Sequence, residues 1–195
     1  MSQTTAPSPD LLAGLYERHL QRKGRRSQTA ISLGAARALW RLLDGRAPGA
    51  VLELGSGFSS SVIRAWQRAH PGAVVYTTDS EWKWLGVTLY ELELEELDTS
   101  HMLHHDVFAR LPGTQERFDL IFFDLADTDT RAQWAPRVVE WLRPAGLLVL
   151  DDWHMPHYRA RVLPLLQERG FTVTPLPETT DEFGRYLATA TRGGS

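Results

Sequence analysis

The sequence predicts an α/β domain built on a doubly wound, mainly parallel sheet. Three observations predict it. Strand and helix patterns alternate from residue 50 onward, two strand candidates are almost wholly apolar, and four successive strand candidates end in a carboxylate. Alternation of this kind gives βαβ units. Apolar strands are the ones covered on both faces. In an open parallel sheet, the carboxyl ends of the strands are where ligands bind.

Residues 1–10 are polar and contain proline, which predicts a disordered tail. Residues 11–49 read as a helical appendage. Leu11, Leu12, Leu15 and Tyr16 begin a short amphipathic helix that runs into Arg22, Lys23, Gly24, Arg25 and Arg26. Ser27 caps a second helix ending at Leu43, with Ile31, Leu33, Ala36, Leu39 and Trp40 on its apolar side. Asp44 and Gly45 stop it, and Pro48 and Gly49 turn the chain.

Residues 50–195 read as the sheet domain. A strand over 51–54 enters Gly55, Ser56 and Gly57, and a helix covers 59–69. A β-branched strand over 73–78 ends at Asp79, and a long helix over 81–97 carries Trp82, Leu85, Leu89 and Leu92 on one side. A third strand, 101–105, ends at Asp106. The apolar run 118–123 ends at Asp124, with Asp127, Thr128 and Asp129 capping a helix over 130–142. A turn at 144–146 leads into strand 147–150, which ends at Asp151 and Asp152. The next helix reaches Glu168 and is expected to kink or split at Pro164. Strands over 171–174 and 185–189 complete the pattern.

Composition narrows the chemistry. The 195 residues are 43% hydrophobic and 23% charged with net charge -3, the balance of one ordinary globular domain. No broad basic footprint for nucleic acid exists. Without cysteine there is no disulfide, thiolate zinc site or covalent cysteine catalysis. Neither a secretory signal nor a membrane-length apolar run is present, so cytoplasmic is the default expectation.

The acids at the strand ends converge on one edge of the sheet. Glycines in the turn after the first strand permit close approach of a ligand, and the following helix offers free N–H groups. The Walker lysine is missing, and Ser60 stands where a dinucleotide fingerprint has its third glycine. Asp79 lies about 22 residues beyond Gly57, where an acid meets a ribose diol; the same position also suits a helix N-cap.

With these segments in place, the chain resembles the class I S-adenosylmethionine-dependent methyltransferases. The resemblance runs from Ala50 to Thr191. It is carried by Val51-Leu52-Glu53-Leu54-Gly55-Ser56-Gly57, Thr78-Asp79-Ser80-Glu81-Trp82, His105-Asp106-Val107, and the segments ending at Asp124 and at Asp151-Asp152. It implies a Rossmann-like sheet with an antiparallel last strand, and S-adenosylmethionine as cofactor. Glu53 would lie near the amino group of the methionine moiety, with Gly55, Ser56 and Gly57 under the ligand. Asp79 and Ser80 would serve the ribose. Asp106 would bond the adenine amino group, with Val107 or Trp82 packing on the ring; core packing is the alternative for Trp82.

The closest pattern is that of the small catechol-type O-methyltransferases, in which acids at the fourth and fifth strand ends hold Mg²⁺. Asp124, Asp151 and Asp152 would be the ligands by that resemblance. Gathered carboxylates repel unless neutralised, and an oxygen-rich set suits Mg²⁺, Ca²⁺ or Mn²⁺. Two departures stand out. No lysine follows Asp124 in its loop, and Asp152 replaces the usual asparagine. Asp124 and His154 are the catalytic candidates, His154 as general base. Asp152 as a helix cap and His154 as a surface residue are the alternatives.

The expected substrate is a small hydroxylated acceptor. N or carboxylate acceptors without metal, an NAD-dependent oxidoreductase and a non-catalytic nucleoside-binding scaffold are the competing readings. Glu91, Glu93, Glu95 and Glu96 read as a solvated helix face, and the basic stretch 22–26 as a solvated turn. Alternatively, that stretch binds an anionic acceptor or lies against a partner, giving a homodimer through the N-terminal helices.

Overall fold

The computed structural model describes residues 9–23, 30–113 and 117–193. Two helices, α1 (Pro9–Lys23) and α2 (Leu33–Arg46), precede β1 (Ala50–Leu54), α3 (Phe58–Ala69), β2 (Val74–Asp79), α4 (Trp82–Leu94), β3 (Met102–His104) and the single turn α5 (His105–Phe108). Then come β4 (Phe118–Phe123), α6 (Thr128–Trp141), β5 (Leu142–Leu150), α7 (Pro156–Glu168), β6 (Phe171–Leu176) and β7 (Leu187–Arg192). The strands form one sheet in the order β3-β2-β1-β4-β5-β7-β6. All pairs are parallel except those of β7, which runs antiparallel to both β5 and β6.

Strand periodicity explains the two-sided core. Along β1 and β4, Val51, Leu120 and Phe122 face a cluster with α2 and α3, while Leu52, Leu54, Ile121 and Phe123 face a cluster with α6 and α7. The strand order reverses between β1 and β4, which opens a crevice at their carboxyl ends.

Several boundaries differ from the sequence expectation. Residues 1–8 and the proposed cap Ser27 lie outside the described residues, and α1 already begins at Pro9. The observed cap of α2 is Ser32, whose Oγ accepts from the Ala35 N–H at 3.1 Å. The third strand is only three residues long; His101 turns with φ +55° before it, and α5 follows directly. The expected turn at 144–146 is a bulge inside β5, where Leu142 pairs with Phe118 but Leu147 already pairs with Leu120. Helix α7 continues through Pro164, which lies with Ala160 on its exposed face.

Of the four acids expected on a solvated face, Glu93 and Glu96 are exposed, but Glu91 and Glu95 are engaged by α1. Arg18 of α1 reaches Glu95 at 2.7 Å, Arg22 also pairs with Glu95, and Lys23 lies 3.9 Å from Glu91. The described part of the basic stretch therefore holds α1 against α4. Among the described residues, no helix is long and apolar enough to cross a membrane.

Candidate functional site

The ends of β1, β2, β4 and β5 set the site. Backbone bonds continue the ladder past each strand: Gly55 N–H donates to Thr78 O at 2.8 Å, Asp124 N–H to Leu54 O at 2.7 Å, and Asp151 N–H to Phe123 O at 3.2 Å. Asp124 therefore flanks Gly55, and Asp151 flanks Asp124. Gly55 has φ +96°, and a Cβ there would stand 2.3 Å from the Asp124 carbonyl oxygen. Only glycine fits so tight a turn.

Beyond these ends lies a cavity of about 480 Å³, within the range of small-ligand pockets. Gly55, Ser56, Gly57, Phe58, Asp79, Ser80 and Trp84 line one end. Asp124, Arg131, Asp151, Asp152 and His154 line the other, and His19 and Lys23 of α1 contribute to the wall. The structure thus brings together Gly55, Ser56, Gly57, Asp79, Ser80, the three acids and His154 from the sequence candidates.

Asp79 is buried and already engaged. Its Oδ2 accepts from Ser56 N–H at 2.8 Å and Ser56 O–H at 2.7 Å, and its Oδ1 from Glu81 N–H at 2.9 Å. One lone pair of Oδ1 is left for a ligand hydroxyl, fewer than the bidentate grip the sequence suggests. Glu81, not Asp79, occupies the N-cap position of α4.

Four other candidates stand outside the cavity wall. Glu53 is fully buried behind the turn; its Oε2 accepts from Ser60 at 2.7 Å and Thr77 at 2.9 Å. Burial pushes its carboxyl up to about 7, while these bonds and the nearby Arg64 charge pull the other way. Trp82 is largely exposed and stacks on His104 at 4.6 Å, and Trp84 supplies the aromatic wall instead. Asp106 and Val107 are exposed on α5, because β3 ends at His104, one residue earlier than expected, and the chain turns at once into α5. His104 binds the Ser80 carbonyl at 2.8 Å, so this surface adjoins the Ser80 end of the cavity.

The acid cluster contains a cation that the sequence reading missed. Oxygens of Asp124, Asp151 and Asp152 lie within 4.8 Å of one another. Arg131, in the first turn of α6, reaches into them from the side. Its Nη2 is 2.6 Å from Asp124 Oδ1 and its Nη1 3.1 Å from Asp152 Oδ2. Burial and the Asp151 charge raise the Asp124 carboxyl well above the usual range, and burial and the Asp152 charge raise Asp151. His154 Nδ1 is 3.7 Å from Asp152 Oδ1. Asp152 does not cap α7, whose N-cap position is Met155. Asp127 does cap α6, accepting from Thr130 N–H at 2.8 Å.

His19 was missed as well. It is 2% exposed, its Nδ1 lies 2.8 Å from Glu91 Oε2, and its Nε2 is buried without a partner beside the cavity. The signal was spacing: Leu12, Leu15 and His19 follow one helical stripe, so a histidine occupies a core position.

No protein-family model matches the chain, and no curated protein matches it. Solved structures do. The O-methyltransferase TomG from Streptomyces achromogenes, involved in tomaymycin synthesis and solved in complex with SAM, is 20% identical with a TM-score of 0.71, covering 97% of this chain and 92% of its own. The SAH-bound methyltransferase PaMTH1 from Podospora anserina is 18% identical with a TM-score of 0.72, covering 98% and 91%. The O-methyltransferase from Bacillus cereus in complex with SAH is 17% identical with a TM-score of 0.68, covering 97% and 94%. The chain has the α/β methyltransferase fold, sheet order and antiparallel last pairs included, over nearly its whole length.

Proposed function

We propose that this chain transfers a methyl group from S-adenosylmethionine to a hydroxyl oxygen of a small acceptor. One observation carries the reading. A single cavity joins the Gly55 turn and Asp79 at one end to Asp124, Asp151, Asp152 and His154 at the other. Solved O-methyltransferases of this fold, TomG and the Bacillus cereus enzyme, support the choice of oxygen.

When bound, S-adenosylmethionine supplies an electrophilic methyl carbon that the acceptor oxygen takes, the C–S bond breaking with its electron pair left on sulfur. The remaining work belongs to the chain. The free lone pair of Asp79 Oδ1 takes a ribose hydroxyl, and the close turn at Gly55 leaves the backbone bare beneath the ligand. His19, held through Nδ1 by Glu91, closes part of the cavity wall. His154 takes the acceptor proton, and Asp152 steadies the charge it gains. Both ends lie in one walled space, which holds the reactants close and in line.

The three acids are the oxygen set that Mg²⁺ accepts, but the Arg131 guanidinium already stands between Asp124 and Asp152. The residues present do not fit a divalent cation as drawn from the sequence, and no step is assigned to one.

Calorimetry with S-adenosylmethionine, S-adenosylhomocysteine and NAD tests the reading. Both sulfur compounds are expected to bind with one-to-one stoichiometry and NAD not at all. Binding of NAD alone would retire the methyltransferase in favour of an oxidoreductase.

A further inference from the structure

We propose that Arg131 occupies the place a divalent cation would take among the three acids, so that the acceptor end of the cavity works with no bound metal. The inference rests on the reading of this cavity as a methyltransferase site and refines it.

The guanidinium is built in. Its side chain is 5% exposed. Nη2 donates to the Ala126 carbonyl at 3.0 Å and lies 2.6 Å from Asp124 Oδ1; Nη1 donates to Asp152 at 3.1 Å and Nε to the Leu125 carbonyl at 3.1 Å. Three of its five N–H groups therefore have hydrogen-bond acceptors, and its charge lies against Asp124. The surrounding backbone is bent to make this possible. Ala126 has φ +49° and Asp152 φ +52°. This bend turns two successive carbonyls, those of Leu125 and Ala126, onto the arginine.

The sequence departures fit the same account. The loop after Asp124 holds no lysine, and Asp152 follows Asp151 directly, so the cation among these acids comes from Arg131 in α6. Arg131 supplies one positive charge against these acids and is paired with two of them, Asp124 and Asp152. An ion bound by Asp124 Oδ1 and Asp152 Oδ2 at about 2.0–2.6 Å would press against the guanidinium nitrogens and meet its charge. A metal also chelates paired hydroxyls, whereas Arg131 imposes no such geometry. The acceptor class is therefore a molecule with one reactive hydroxyl, with no need of a vicinal diol.

Mn²⁺ titration followed by electron paramagnetic resonance, in the presence of S-adenosylhomocysteine, tests this. The wild-type protein is expected to show no Mn²⁺ site that depends on Asp124. Arg131→Met is expected to bind Mn²⁺ at least about tenfold more tightly than wild type, and Arg131→Lys, which keeps the charge, to bind no better than wild type. Micromolar Mn²⁺ binding by the wild type that is lost in Asp124→Asn would overturn the proposal. So would a folded Arg131→Met that gains no affinity. If that variant does not fold, the wild-type and Asp124→Asn pair still decides. Calorimetry of S-adenosylhomocysteine in chelator keeps the two readings apart: failure to bind there sinks the methyltransferase reading, not the account of the cation.

Discussion

Among the described residues, two arginines are buried beside carboxylates, and they do different things. Arg64 of α3 is closed off from solvent. It donates to Asp98 and Gln67 at 3.0 Å, Thr77 at 3.3 Å and the Ser100 carbonyl at 2.7 Å, and its charge faces Glu53. Arg131 is nearly as buried, but its carboxylates form the wall of a cavity. Arg64 ties α3 to the strand and loop around it. Arg131 sets the charge of a space meant for something else. Burial alone does not tell a fastening from a functional group; what the partners face does.

The contrast is broken most directly by deleting each cation. Arg64→Met should cost about 2–4 kcal/mol of unfolding free energy, chiefly because Thr77 and the Ser100 carbonyl lose a donor, measured by denaturant titration. Mn²⁺ should not restore it. Arg131→Met should also lose stability, yet Mn²⁺ should recover its melting temperature. Recovery of both variants, or of neither, would erase the distinction.

Next in size is a pH effect on the closed side. The Glu53 carboxyl is raised from 4.5 to about 7. The folded state therefore binds this proton more tightly than the unfolded state. Its contribution is full below about pH 4.5 and is lost as pH rises through 7. The 2.5-unit difference amounts to about 3 kcal/mol. Glu53→Gln should remove that decline, so its stability relative to wild type climbs between pH 4.5 and 7. A constant difference across that range would contradict the buried, proton-holding state.

On the open side, effects fall on turnover and binding. His154→Ala should lower kcat about a hundredfold, the lower end for a general base, with KM for the acceptor little changed. An equal fall in affinity would make His154 a binding group. The smallest effect is at the nucleoside end. Asp79→Ala should weaken cofactor affinity about tenfold, since one lone pair is at stake; unaltered affinity would remove Asp79 from the ribose.

Much of this was legible in the sequence because the sheet is so apolar. The run Phe118–Phe123 matches its strand residue for residue, and the acids that end β1's neighbours fell where parallel pairing puts them. The weak third strand was misjudged because His101 to His105 alternates like a strand but turns at both ends. Asp106 and Val107 therefore sit exposed on α5, beside the Ser80 end of the cavity and not in its wall. Arg131 was invisible for another reason. In sequence it is one more charge in the first turn of a helix, and only the fold shows that turn facing the β4 and β5 ends. The surplus of acid at Asp152, with no lysine after Asp124, was the available clue that a cation had to come from elsewhere.

A crystal structure with S-adenosylhomocysteine bound is the most direct test of the central claim that one cavity holds the nucleoside at one end and the reaction at the other. The account predicts a ribose hydroxyl on Asp79, the sulfur turned toward Asp124 and His154, and Arg131 still between Asp124 and Asp152. A nucleoside seated elsewhere, or an ion in place of the guanidinium with Arg131 swung away, would contradict it.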